Sequence, residues 1–389
     1  MAEIGREHHE KLLMEGLHPD KDERNRIITE VLNIIQPDDK LNELSQETLG
    51  EPVNEEGVAL VLRESTNGSL PGLNGITYEF YKMLQQIKWE DKKKKYKDLD
   101  IVWTLTMVYR DIEEFGVDPK ISFIEGWMCP IYKKGDRSLI RNYQPMTLLN
   151  VDYKMYTKDK SIKLANAIPQ IIHPNQVGFI LGRSIADQVR LAKIMVKYAE
   201  CKEENSLLIA LDQEKVYNKI CHNYLDKMLE AYNLPERFRK IVKLLYKSVE
   251  MVVMINRMPS APFKVSRGVW QGDPLSCLLF NLAIEPLANL LQRCKDIEGY
   301  KIPREKEMLV VTMFTNGMAV YMADTDNLDT LWKVLKGWCT AAGARFIESK
   351  TEVISIGTEK YRTEVLKGRK TGPNAKEIDA KIHIARKGK

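Results

Sequence analysis

Several features that would narrow the class of this chain at once are missing. Its six cysteines (Cys129, Cys201, Cys221, Cys277, Cys294 and Cys339) are scattered through 389 residues with no Cys-x-x-Cys pair. That spacing speaks against a zinc ribbon or a disulfide framework and reads as reduced thiols in an intracellular protein. No apolar run approaches the roughly 20 residues a membrane span needs. The charged opening from Glu3 to Lys11 lacks the apolar core of a secretory signal. The expectation is a protein outside the membrane and not secreted, in nucleus or cytoplasm. Charge imbalance is small too, since 59 basic against 54 acidic side chains leave +5. Such an excess is compatible with a phosphate-backbone partner without identifying one. There is no internal repeat. What remains is an ordinary composition, 44% hydrophobic and 29% charged, long enough for two or three subdomains.

The stretch that organises the rest is Leu207 to Lys219, LLIALDQEKVYNK. A short apolar run ends in Asp212, and a polar segment then opens a helix. A buried strand that delivers one carboxylate to its end is one way to hold a metal ion, and a core strand with a solvated Asp is the plain alternative. Two further stretches weigh on that choice. Arg267 to Ala288 reads RGVWQGDPLSCLLFNLAIEPLA, and Met308 to Tyr321 reads MLVVTMFTNGMAVY, a hairpin with Asn316-Gly317 expected at its turn.

The remaining elements follow from periodicity and punctuation. Residues 1–47 are helical in character, with Ile27, Val31, Leu32 and Ile35 at helical spacing. Helices are expected over 56–63, 99–115, 153–168, 223–232, 235–247 and 327–342. Ser184 is placed to cap a helix running to Ala199. Ser69 to Lys82 is a Pro/Gly turn entering an aromatic-rich helix. Strands are expected over 127–134, 249–255, 261–265 and 353–356. Residues 91–95, DKKKK, form a basic run, and ten lysines or arginines lie in 359–389.

The three organising stretches resemble motifs A, B and C of reverse transcriptases from non-LTR (LINE-type) retrotransposons, closest to the Tad-like fungal branch. The resemblance covers roughly residues 1 to 370. Further matches are Lys133-Lys134-Gly135-Asp136 with Asn142-Tyr143-Gln144-Pro145, the block from Gln176 to Ser184, and a motif D over Ala344 to Glu352. It implies an α+β fold, the palm and fingers of a right-handed polymerase. The implied division is a helical extension over 1–68, fingers over 69–200, palm over 201–358 and a basic tail over 359–389 that stops before a thumb.

By resemblance, Asp212 is the retained catalytic and metal-binding carboxylate. Lys133, Lys134, Gln144, Tyr217, Gln271 and Gly272 fall at nucleotide-binding positions. Arg183 contacts template phosphate or ties the fingers together, and Lys350 could protonate departing pyrophosphate. The partners implied are an RNA template, a DNA primer and deoxynucleoside triphosphates. The family pattern Phe-Ala-Asp-Asp, however, is Phe314-Thr315-Asn316-Gly317 here, so both hairpin carboxylates are gone. The family's phosphate-gripping Arg is Gln144, which lacks the matching fork of donors. Two Mg²⁺ ions about 3.5–4 Å apart need more anionic oxygen than Asp212 supplies. The expectation is a degenerate centre that holds Mg²⁺ weakly or not at all, with no polymerase activity. The alternative is a non-catalytic module that binds RNA or an RNA–DNA hybrid.

Overall fold

The computed structural model describes residues 1–15, 17, 20–91, 100–118, 120–246, 249–302, 307–315, 317–371 and 377–385. Most of the basic run 91–95 lies outside them, as does Asn316. The chain divides into two compact units, each built from separate stretches of sequence. One takes residues 1–15, 41–168 and 221–279; the other takes 16–40, 169–220 and 280–389.

The first unit is built on a sheet. Strands Gly126–Tyr132 and Tyr143–Leu149 pair antiparallel, from Gly126 opposite Leu149 to Tyr132 opposite Tyr143. Glu250–Ile255 joins the first of them in parallel and folds back on Met258–Pro259. Asn256 and Arg257 both take positive φ, 52° and 64°, as a tight hairpin turn of the mirror-image type requires. The strand over 143–149 escaped the pattern reading because Pro145 sits inside it, opposite Pro130. Proline cannot donate to a ladder, so its presence argues against a strand; here two prolines face each other and neither asks the other for a donor. Beneath the sheet, Tyr109, Phe123, Tyr153 and Tyr156 form a ring cluster with centroids 5.1–6.5 Å apart. The Lys160 ammonium, almost fully buried, lies 2.5 Å from the buried Glu113 carboxylate, which also meets Arg237 at 2.7 Å.

In the second unit the strand order is His383–Ile384, Glu352–Ile356, Ser206–Asp212, Gly317–Ala323 and Val311–Phe314. The central strand, SLLIALD, is buried along nearly its whole length, which is why it reads as an unbroken apolar run. Helix Leu328–Ala342, capped by Asn327, packs on Lys21–Leu32. Helix Ser276–Gln292 is buried on nearly every side and continues through Pro286. A helix buried all round gives no amphipathic signal. The stretch after residue 358, expected as a polar tail, contributes helix Glu359–Gly368 and an edge strand, His383 opposite Glu352. Arg369 fixes that return by donating to the carbonyls of Ile378 (3.1 Å), Asp379 (2.7 Å) and Ile382 (2.8 Å).

Two acidic residues shape this unit. The buried Asp326 carboxylate accepts from the backbone N–H of Glu298 (2.9 Å), Gly299 (3.0 Å) and Ala323 (2.8 Å). Glu285 is fully buried; one carboxyl oxygen accepts from His173 N–H at 2.9 Å. Burial pushes its pKa up to about 8, against the partial opposition of the His173 hydrogen bond and nearby Arg183.

Two outcomes follow. Asp326→Ala strands three backbone donors and should cost about 2–4 kcal/mol in denaturant unfolding, whereas the exposed Asp324→Ala should stay within about 0.5 kcal/mol. For Glu285, the folded-state pKa lies above the unfolded value near 4.5. The native state therefore keeps a proton that the unfolded chain has released, and this contribution to stability falls as pH rises from about 4.5 to about 8. Thermal unfolding across that range should show the decline in the wild type and a flatter profile in Glu285→Gln.

Candidate functional site

The sheet of the second unit brings the motif A and motif C stretches side by side. Register pairs Gly317 with Asp212 and Ala323 with Ser206. Asp212 thus sits at the end of its strand, about one-third exposed, with Gly317 directly across from it. The hairpin differs in detail from the Asn-Gly turn expected. Gly317 already pairs with Phe314, so it begins the return strand instead of turning it. Among described residues Thr315 makes the bend, with φ 52°. Pairing with two neighbours at once, Phe314 and Asp212, outweighs the local turn preference of an Asn-Gly dipeptide.

On the other flank, Glu352–Ile356 runs antiparallel to the central strand. The segment before it is stitched to the end of motif A by two backbone hydrogen bonds, Glu214 N–H to Arg345 O at 2.8 Å and Ile347 N–H to Asp212 O at 2.9 Å. A single 3₁₀ turn, Glu348–Lys350, follows. Its position sets the Lys350 ammonium 2.5 Å from Asp212 Oδ2. Glu214 is engaged elsewhere, accepting from the buried Lys219 at 2.8 Å. Burial raises the Glu214 pKa, but the Lys219 hydrogen bond and the neighbouring Lys219, Arg345 and Lys215 charges more than offset it, and the net shift is downward. Asp324 and Asp326 lie beyond the far end of the 317–323 strand, some 20 Å along it at about 3.3 Å per residue.

The Gln176–Ser184 block lies against the same hairpin. Val177 N–H donates to Met313 O (3.0 Å) and Met313 N–H to Asn175 O (2.8 Å), extending the sheet edge. A Cβ at position 178 would stand 2.5 Å from Thr315 N, so the close approach demands glycine there. Arg183 donates to the carbonyls of His173 (2.6 Å), Gln176 (2.7 Å) and Ile172 (3.2 Å), closing this loop on itself. Ser184 caps the following helix Ile185–Lys202 as expected. Tyr217 is half-buried, its ring 5.4 Å from that of Phe280.

The fingers-like and motif B residues meet in the first unit. Lys133 and Lys134 are exposed just past the 126–132 strand. Gln144 Nε2 donates to Gln271 Oε1 at 3.3 Å, bringing together two residues placed at the nucleotide by resemblance. Gln271 O in turn accepts from Thr147 N–H at 2.8 Å. Gly272 has φ 119°, and a Cβ there would lie 2.5 Å from Thr147 O. The close approach its glycine permits is therefore to the protein's own strand. Trp270 stacks on Tyr153 (5.6 Å, 20°) and meets Tyr246 edge-on (5.7 Å). The fully buried Asp273 accepts from both tyrosine hydroxyls at 3.2 Å, and burial raises its pKa. Pattern reading missed Asn150, whose side chain donates to Ser122 O (2.7 Å) and accepts from Asn74 N–H (3.1 Å). An Asn closing the apolar run PMTLL was the only signal for it.

Gly272→Ala, combining strain at positive φ with overlap on Thr147, should lose about 1–3 kcal/mol in chemical unfolding. Gln271→Ala, which keeps the backbone bond to Thr147, should lose less.

A family model described as "Reverse transcriptase (RNA-dependent DNA polymerase)" matches residues 131–378. The chain is 30% identical over 320 residues to the "Transposon TX1 uncharacterized 149 kDa protein" of Xenopus laevis, covering 82% of this chain and 23% of that protein. It is 25% identical over 166 residues to the "Retrovirus-related Pol polyprotein from type-1 retrotransposable element R2" of Nasonia vitripennis, covering 42% and 16%. It thus spans less than a quarter of either relative. Among solved structures, a telomerase from Candida tropicalis in complex with a telomeric RNA fragment superposes with TM-score 0.44 and 13% identity, over 67% of this chain and 47% of that one. With a family match over more than half its length, the chain belongs to the reverse transcriptases, shares their mixed α/β fold, and is a domain of the kind carried by non-LTR retrotransposons.

Proposed function

We propose that this is a reverse transcriptase domain of the Tad-like branch whose nucleotidyl-transfer centre has lost its metal site and with it polymerase activity. One observation carries the reading: Asp212 faces Gly317 across the ladder and shares its carboxylate with the Lys350 ammonium. Reverse transcriptases generally use Mg²⁺, a hard ion that requires anionic oxygens in octahedral order. The donor set here does not fit such ions. One carboxylate already balanced by a lysine leaves no net negative charge to offset two dications. Elsewhere, loss of a single preorganised active-site group costs about 2.7–4 kcal/mol, or 10²–10³ in rate. Replacement of Arg by Gln144 removes a phosphate grip as well, and these losses need not add.

The hairpin itself remains suited to carrying carboxylates. A Cβ at Gly317 would meet nothing closer than Phe314 O at 3.5 Å, and its φ is not in the left-handed region. Exposed Lys133 and Lys134 offer electrostatic attraction to a nucleic-acid backbone, which is what the alternative, a non-catalytic module binding RNA or an RNA–DNA hybrid, would use.

Primer extension on an RNA template with Mg²⁺ should give no product from the wild type. Asn316→Asp with Gly317→Asp and Gln144→Arg should restore extension and saturable Mn²⁺ binding by electron paramagnetic resonance. Complementary DNA from the unmodified chain would overturn the reading. In the restored background, Lys350→Met should tighten Mn²⁺ several-fold by removing a competing cation. A separate RNA titration, in which affinity falls steeply as salt rises without any extension, would select the binding-module alternative.

A further inference from the structure

A second concave feature lies wholly within the second unit and involves none of the residues assigned to nucleotidyl transfer. It is a cleft of about 630 Å³ between the 169–174 loop, the C-terminal half of helix Ser276–Gln292, and the segments around Ile297 and Glu307. Its size lies within the range of small-molecule sites and far exceeds a bare ion. Ile172, Ile297 and Val310, each buried, give it an apolar wall.

Charge within it is distributed on two levels. At depth lies Glu285, with no solvent exposure. One carboxyl oxygen accepts from His173 N–H; the other is buried with no hydrogen-bond partner. At the mouth stand the exposed Glu298 and Glu307. The cations near Glu285 have other engagements. Arg293 pairs with Asp39 through two bonds of 2.7 Å, and Arg183 donates to backbone carbonyls. Burial lowers the His173 pKa, and its Nδ1 accepts from Asn175 N–H at 3.1 Å, which keeps the ring neutral. A buried acid with a bare oxygen is costly unless something satisfies it.

We propose that this cleft binds a linear aliphatic polyamine, one ammonium meeting Glu285 at depth and another meeting Glu298 or Glu307 at the mouth. The methylene chain then lies along the Ile172, Ile297 and Val310 wall, as long cationic side chains lie along apolar surface. Side-chain oxygens of Asn289 and Gln292, which also line the cleft, are further acceptors for ammonium protons. Because Glu285 holds its proton near neutral pH, pairing with an ammonium releases that proton.

Isothermal titration of the full chain with 1,4-diaminobutane and with spermidine tests this, using sodium chloride of matched ionic strength and 1,4-butanediol as controls. The expected result is saturable one-to-one binding with either amine and not with the controls. At pH 7 the heat should vary with buffer ionisation enthalpy, reporting proton release. Glu285→Gln, close in shape to the protonated acid, should weaken binding about tenfold or more and abolish the proton release. Glu298→Gln with Glu307→Gln, at exposed positions, should weaken binding while the fold stays intact, which keeps the test open if Glu285→Gln folds poorly. Absence of saturable heat overturns the proposal, and so does equal affinity in wild type and the rim variant.

Discussion

The site depends on a backbone constraint: the Ser206–Asp212 strand is laddered on both sides. Gly317–Ala323 lies along one edge and Glu352–Ile356 along the other. A one-residue slip of either neighbour would exchange the faces of its own side chains against a central strand that is buried on both faces. The register is therefore held by the burial of Leu207, Leu208, Ile209 and Leu211. Position 317 stays opposite Asp212 whatever residue occupies it, and the turn that delivers Lys350 stays beside it. The geometry of a nucleotidyl-transfer site can outlast its chemistry because different atoms maintain each.

Electrostatics at this place has a local solution that requires no metal. The Lys350 ammonium neutralises the Asp212 carboxylate. At this degree of exposure such a pair contributes little to stability. Its consequence is occupancy: a tethered cation sits on the Asp212 carboxylate. In the first unit, Gln144 and Gln271 likewise satisfy each other.

Two glycines placed by motif have structural duties in this chain. Gly178 admits the Thr315 backbone and Gly272 admits Thr147. Arg183 closes its own loop. These motif residues hold loops to strands, a duty independent of catalysis. Trp270 is part of an aromatic stack with Tyr153 and Tyr246, whose hydroxyls both donate to the buried Asp273.

By itself the sequence determined the central strand, the hairpin partner, most helices and the absence of a carboxylate at positions 316 and 317. Those features rest on local periodicity, caps and residue identity, all of which are written along the chain. Resemblance also singled out Asp212, Lys350, Gln144 and Gln271 as candidate site residues. Only the tertiary structure decided which of them touch, because contacts between positions over a hundred apart depend on register and packing. The strand with facing prolines, the return of residues 383–384 to the sheet edge and the buried Glu285 belong to the same class. In each, burial and long-range pairing overrode what the local residues favour.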